Sequence, residues 1–112
     1  MRTRDLRAEP TPAEDTPFMV NVSRHGRHRI VQICGELDVV SRNIVRRACT
    51  AGRRTTVVVE MSDMTFMDCC GYSGLVAARN DLQKHGGSLI LRNQAGQPAE
   101  LLTMIEQLEA QS

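Results

Sequence analysis

Tryptophan is absent from the chain, which has one tyrosine and two phenylalanines. A folded core must therefore be aliphatic, drawn from Val, Ile, Leu, Met and Ala. No apolar run approaches the ~18 residues of a membrane-spanning helix, so no membrane span is expected. The N-terminus is charged and lacks the apolar stretch of an export signal, which points to a cytoplasmic protein. Net charge is only +1, which weighs against a dedicated nucleic-acid binder. Four cysteines occur, Cys34, Cys49, Cys69 and Cys70, but no C-x-x-C pair. That removes the usual spacing of a structural zinc site or a thioredoxin-type redox site. No metal and no other cofactor is expected. Cys34 and Cys49 sit among apolar residues and read as buried, inert thiols.

The 112 residues suit a single domain, long enough to bury roughly 65% of its unfolded surface without staples. Residues 1–17 mix Arg, Glu, Asp, Thr and Pro without period and read as a disordered tail, leaving 18–112 as the folded domain. Alternating apolar positions place strands at 18–23 and 28–34, joined by a turn at His25-Gly26-Arg27 into an antiparallel hairpin. His25 and His28 flank that turn without a third ligand nearby and read as solvated. Ile44, Val45, Ala48 and Cys49 make a helical stripe at 41–51, with Ser41 as N-cap. Arg42, Arg46 and Arg47 take the other side, followed by Arg53 and Arg54. These arginines read as a solvated face or as a basic patch for an acidic partner. The nearly continuous Thr/Val run at 55–61 has the pattern of a strand buried on both faces. A helix follows at 70–85, closed by Gly86-Gly87, then a strand at 88–92 and a last helix at 98–109, opened by Pro98. The order β-β-α-β-α-β-α predicts an α/β fold: a mixed sheet with an N-terminal β-hairpin and helices packed on it.

Met67-Asp68-Cys69-Cys70-Gly71 is the most informative stretch. It places a carboxylate and two thiols where a strand passes into a helix, at unpaired N–H groups and partial positive charge. Gly35-Glu36-Leu37-Asp38 follows the second strand, and Thr65-Phe66-Met67-Asp68-Cys69-Cys70-Gly71 follows the third. With the Gly86-Gly87-Ser88-Leu89-Ile90-Leu91 segment, this order and spacing resembles the STAS domain, specifically bacterial anti-sigma factor antagonists. That family shows a G-E-L-D motif, then F-x-D-S-S-G, then a helix ending in Gly-Gly. The likeness runs from about Phe18 to Leu108.

The resemblance implies a partner: an anti-sigma factor that is also a serine kinase, or a related serine-kinase-fold protein. It places the partner-binding residues at Asp38, Asp68, Cys69, Cys70, Gly71 and Ser73. In the family the kinase phosphorylates the first Ser of D-S-S-G and thereby ends binding. That acceptor position is Cys69 here, and the second serine is Cys70. A thiol is no ordinary substrate for a serine kinase, so the phospho-switch is expected to be lost or rewired. The chain ends soon after its third helix, where relatives often continue, so the last element is expected to be short or missing.

Three functional classes remain open. The first is a regulatory binding protein of the anti-sigma antagonist kind, acting in transcription regulation. The second is a STAS subunit of a sensory or lipid-transport assembly. The third is a thiol redox-responsive regulator working through Cys69 and Cys70. An enzyme using Cys69 as nucleophile is not expected, because no histidine lies near the motif.

Overall fold

The computed structural model describes residues 17–52 and 55–111. The tail assigned to 1–17 therefore lies outside the described residues except for Pro17, and so do Arg53 and Arg54. The element order is β1 (Met19–His25), β2 (His28–Leu37), α1 (Arg42–Thr50), β3 (Thr56–Glu60), β4 (Met64–Met67), α2 (Cys69–Lys84), β5 (Ser88–Arg92) and α3 (Gly96–Ala110). The α/β reading with a mixed sheet is what the structure shows.

The sheet runs β1-β2-β3-β5, with β4 attached to β2. β1 and β2 are antiparallel, while β2 with β3 and β3 with β5 are parallel. The run at 55–61 thus lies centrally, as its composition demands. Val57 and Val59 point into the helical layer and are fully buried. Val58 points the other way and is still only 8% exposed, shielded by the strands on either side.

β2 is longer than its apolar pattern indicated, and β4 was not foreseen. Both differences come from Gly35, whose φ of +88° is left-handed. A Cβ there would press on the backbone of Pro17 and Phe18. Gly35 marks not the end of the strand but a shift in register. Before it, β2 pairs with β3; after it, Glu36 and Leu37 pair with Phe66 and Met67 of β4. The Gly35 N–H donates to the Asp63 carbonyl at 3.1 Å. A four-residue strand with no Val or Ile carries too little pattern to be read alone.

Val31, Ile33 and Leu37 of β2 join Val57, Val59, Met61, Met64 and Met67 in one core with Val45, Cys49, Leu75, Ala78, Leu82 and Leu101 from the helices. The helices therefore cover one face of the sheet. α2 comes close to α1 because Gly74 has no side chain: a Cβ there would meet the Arg42 Cβ at 2.9 Å. Arg46 of α1 donates to Asp81 of α2 through Nε and Nη2, at 3.1 and 2.8 Å. Arg46 is thus partly engaged between helices rather than simply solvated. Ile44, expected on the buried stripe, is instead about half exposed. α3 begins two residues before Pro98 and runs for 15 residues, close to the span read for the last helix.

Candidate functional site

β2 ends at Leu37, and the chain turns through Asp38, Val39 and Val40 into α1. The Asp38 carboxylate holds this turn: its Oδ1 accepts from the Val40 and Ser41 N–H groups at 3.0 and 3.2 Å. The Ser41 hydroxyl is buried, lies 3.0 Å from the Glu36 carbonyl and accepts from the Asp38 N–H at 3.0 Å. Ser41 occupies the N-cap position as expected, but its side chain makes no capping bond to the helix. It braces the preceding turn instead.

β4 ends at Met67, and Asp68 caps α2. Its φ of −106° and ψ of −179° are extended, and its Oδ1 accepts from the Gly71 N–H at 2.7 Å. Cys69 is the first residue of the helix and is exposed; Cys70 is half-buried. Ser73 is exposed, and its hydroxyl donates back to the Cys70 carbonyl at 2.7 Å.

The two turns are fastened to each other. The Asp68 N–H donates to the Leu37 carbonyl at 3.2 Å. Gly71 is packed on that same carbonyl, where a Cβ would lie far inside van der Waals contact. Asp38, Asp68, Cys69, Cys70, Gly71 and Ser73 are therefore brought to one end of the sheet. Within the fold, Asp38 and Asp68 each hold a turn, and Gly71 permits close approach. Among the described residues, the thiols of Cys69 and Cys70 make no hydrogen bond, and of the two Cys69 is the exposed one.

Two features were not legible as site residues. Val40 is 81% exposed, and Val39 and Ile44 are about half exposed. They form an apolar flank on the Asp38 turn and the first turn of α1. Two β-branched residues in a turn that the core does not need were the available signal. The second feature is Gln97, whose side-chain amide accepts from the Met67 N–H at 2.8 Å and donates to the Met67 carbonyl at 2.9 Å. It acts as a short strand partner on the free edge of β4, and no local pattern announces it.

Burial pushes the Cys49 thiol up to about 12, against the opposing charge of Arg29. Cys34 was expected to be buried but is only half so; its thiol is also raised, by partial burial and then by Asp63. His85 caps the far end of α2, and His25 at the end of β1 and His28 at the start of β2 are exposed. Among the described residues, no three His, Cys, Asp or Glu side chains group as metal ligands. No described helix is long and apolar enough to cross a membrane.

The turn after β2, the capped helix after β4 and the Gly86-Gly87 closure match one family model across residues 19–110: the STAS domain. The chain belongs to the STAS domain family. No curated protein sequence matches it. Among solved structures, it resembles an anti-sigma factor antagonist from Mycobacterium paratuberculosis, with TM-score 0.64 and 20% identity over 85% of this chain and 82% of that one. It is similar in the same way to the anti-sigma factor antagonist SpoIIAA in its unphosphorylated form: TM-score 0.65, 20% identity, 79% and 81% covered. It also resembles part of the murine Solute Carrier 26 family member A9 anion transporter, at TM-score 0.63 and 23% identity over 73% of this chain. The chain spans only 14% of that transporter, and 20% of the chain in the Mglu structure. At these identities the likenesses show the STAS fold.

Proposed function

We propose that this STAS domain is a regulatory binding protein of the anti-sigma factor antagonist kind. Its partner would be an anti-sigma factor or a related serine-kinase-fold protein, and its place the cytoplasm. The observation that carries this reading is the exposed apolar flank of Val39, Val40 and Ile44 beside Asp38 and Asp68. Contiguous exposed apolar groups edged by charge mark protein–protein surfaces. The partner-binding residues are then Asp38, Asp68, Cys69, Cys70, Gly71 and Ser73 together with that flank. A binding role also fits the surroundings of Cys69. His85 stands about 24 Å away along the helix by its rise of ~1.5 Å per residue, too far to serve as a base for the thiol.

Titration calorimetry against the host's anti-sigma factors tests the proposal. One of them should bind the wild-type chain, and Val40→Asp should weaken binding by about 2 kcal/mol or more, as loss of a central apolar contact does. Binding that is indifferent to Val40→Asp would remove this surface from the interface. The role as a subunit of a larger assembly finds support in the resemblance to part of a transporter chain. Capture of a membrane transporter, and of no anti-sigma factor, would favour it.

A further inference from the structure

We propose a second docking surface: the outer edge of β1 and the β1–β2 hairpin tip take an extended acidic polypeptide segment.

β1 is the last strand at its side of the sheet. Six of its seven residues are exposed, and only Val20 is half-buried. Among the described residues, no element pairs with its outer edge, so that row of N–H and C=O groups is open. Natural sheets blunt such edges with Pro, Lys, bulges or covering loops. β1 carries no Pro, Lys or bulge along Met19-Val20-Asn21-Val22-Ser23, and its register with β2 is regular throughout. The other edge strand, β5, is shorter at five residues, and three of those are half-buried.

The edge leads into a cationic tip. Five of the six residues at 24–29 are Arg or His. Arg24 stands opposite Arg29, and His25 opposite His28. Like charges facing across a strand pair are unfavourable. The fold relieves little of this: Arg29 donates to the Ala48 carbonyl at 3.3 Å, and among the described residues neither Arg24 nor Arg27 meets a carboxylate. No acidic residue lies between Asp15 and Glu36 in the sequence. The tip is fixed, since the Thr55 hydroxyl donates to the Arg27 carbonyl at 2.6 Å.

An open edge selects a polypeptide, because only a peptide backbone can continue the ladder. The charge selects acidic side chains. A nucleic acid would use the tip but not the edge, because it has no peptide backbone to continue the ladder. The hairpin tip is separated from the Asp38–Asp68 end by the length of β2, ten residues or about 30 Å, while the β1 edge runs alongside β2 back to Met19, opposite Cys34.

The test uses the full chain and a capped peptide of alternating Glu and Val, followed by amide chemical shifts. Shifts should concentrate on β1 and residues 24–29. Arg24→Glu with Arg27→Glu should weaken binding at least about tenfold. Methylating alternate peptide nitrogens should abolish it for one of the two alternations, with the protein unaltered. Equal binding of the Lys–Val peptide would overturn the proposal, as would tighter binding of a short DNA duplex. It would also be overturned if the β1 amides that do not bond to β2 were already protected from exchange in the free chain, or by a dimer in sedimentation. In those cases the edge is occupied by the chain itself or by a second copy.

Discussion

The Asp68 N–H is bonded to the Leu37 carbonyl, so the cap of α2 is fixed to the residue just before Asp38. This one bond, with Gly71 packed on the same carbonyl, turns two loops from different strands into one surface. Crevices at the carboxyl ends of strands in α/β sheets are common binding places. Here the geometry depends on backbone contact rather than on a side-chain network.

That dependence makes Gly71 sensitive. Gly71→Ala places a methyl group into the Leu37 carbonyl, which is backbone and cannot rotate away. The expected loss is at least about 2 kcal/mol of folding stability, at the upper part of the range for overpacking. Chemical denaturation measures it. A change below about 0.5 kcal/mol would mean that α2 can shift from β2 at little cost.

The clamp of Gln97 on Met67 leads to a second expectation. Gln97→Ala leaves the N–H and carbonyl of a half-buried strand end without partners, costing about 1–3 kcal/mol. Because α3 is also anchored by Leu101, the fold should persist while the end of β4 loosens. Hydrogen exchange at the Met67 amide should accelerate markedly in the variant, and exchange at Val58 in the sheet centre should not. Equal acceleration at both would assign the effect to global stability.

How far the fold was readable follows from which residues carry pattern. The hairpin, β3, α2 and β5 announce themselves through Val/Ile/Leu periodicity and through Gly26 and Gly86-Gly87. β4 does not, since Met64-Thr65-Phe66-Met67 has no distinctive period and owes its strand geometry to Gly35 and Gln97, which are distant in sequence. The position of Asp68, Cys69 and Cys70 at a helix start was legible from the strand and helix on either side. Their closeness to Asp38 was not, because it rests on the Leu37 carbonyl. Val39 and Val40 were passed over because a β-branched pair is ordinary in sequence and notable only when seen exposed.

Glu60 gives a pH-dependent expectation. Its carboxyl is held below the usual carboxylate range, first by the hydrogen bond from Asn93 at 2.7 Å and also by Arg92 at 2.8 Å, with partial burial working the other way. A depressed folded-state value means that the ionised form stabilises the fold. That contribution is complete above the unfolded value near ~4.3 and is lost as pH falls through the lower folded value. Glu60→Gln should therefore lower folding stability at pH 7, by no more than about 1 kcal/mol for an ion pair whose arginine is half exposed. The gap from wild type should close between pH 5 and pH 3. A gap that widens on acidification would reverse the assigned sign.

Cys69 supplies the last prediction, which rests on the proposed kinase-fold partner. With ATP and that partner, the wild-type chain should acquire no phosphate at Cys69 or Cys70, because the hydroxyl is missing. Cys69→Ser restores a hydroxyl at an exposed first helical position and should be labelled if the partner retains kinase activity. Serine phosphate on wild-type Ser73 would show that the acceptor has moved. Its hydroxyl is committed to the Cys70 carbonyl, so that outcome requires a bond to break first. Cys69→Asp sets a permanent charge beside Asp68, and the like-charge repulsion should cost about 2 kcal/mol or more of binding. Arg46→Ala breaks the ion pair with Asp81, whose side chains are 46% and 33% exposed, and should cost under about 0.5 kcal/mol of binding. Calorimetry compares the two directly. Unchanged affinity for Cys69→Asp with a collapse for Arg46→Ala would move the partner to the basic side of α1 and leave the Asp38–Asp68 surface without the role proposed for it.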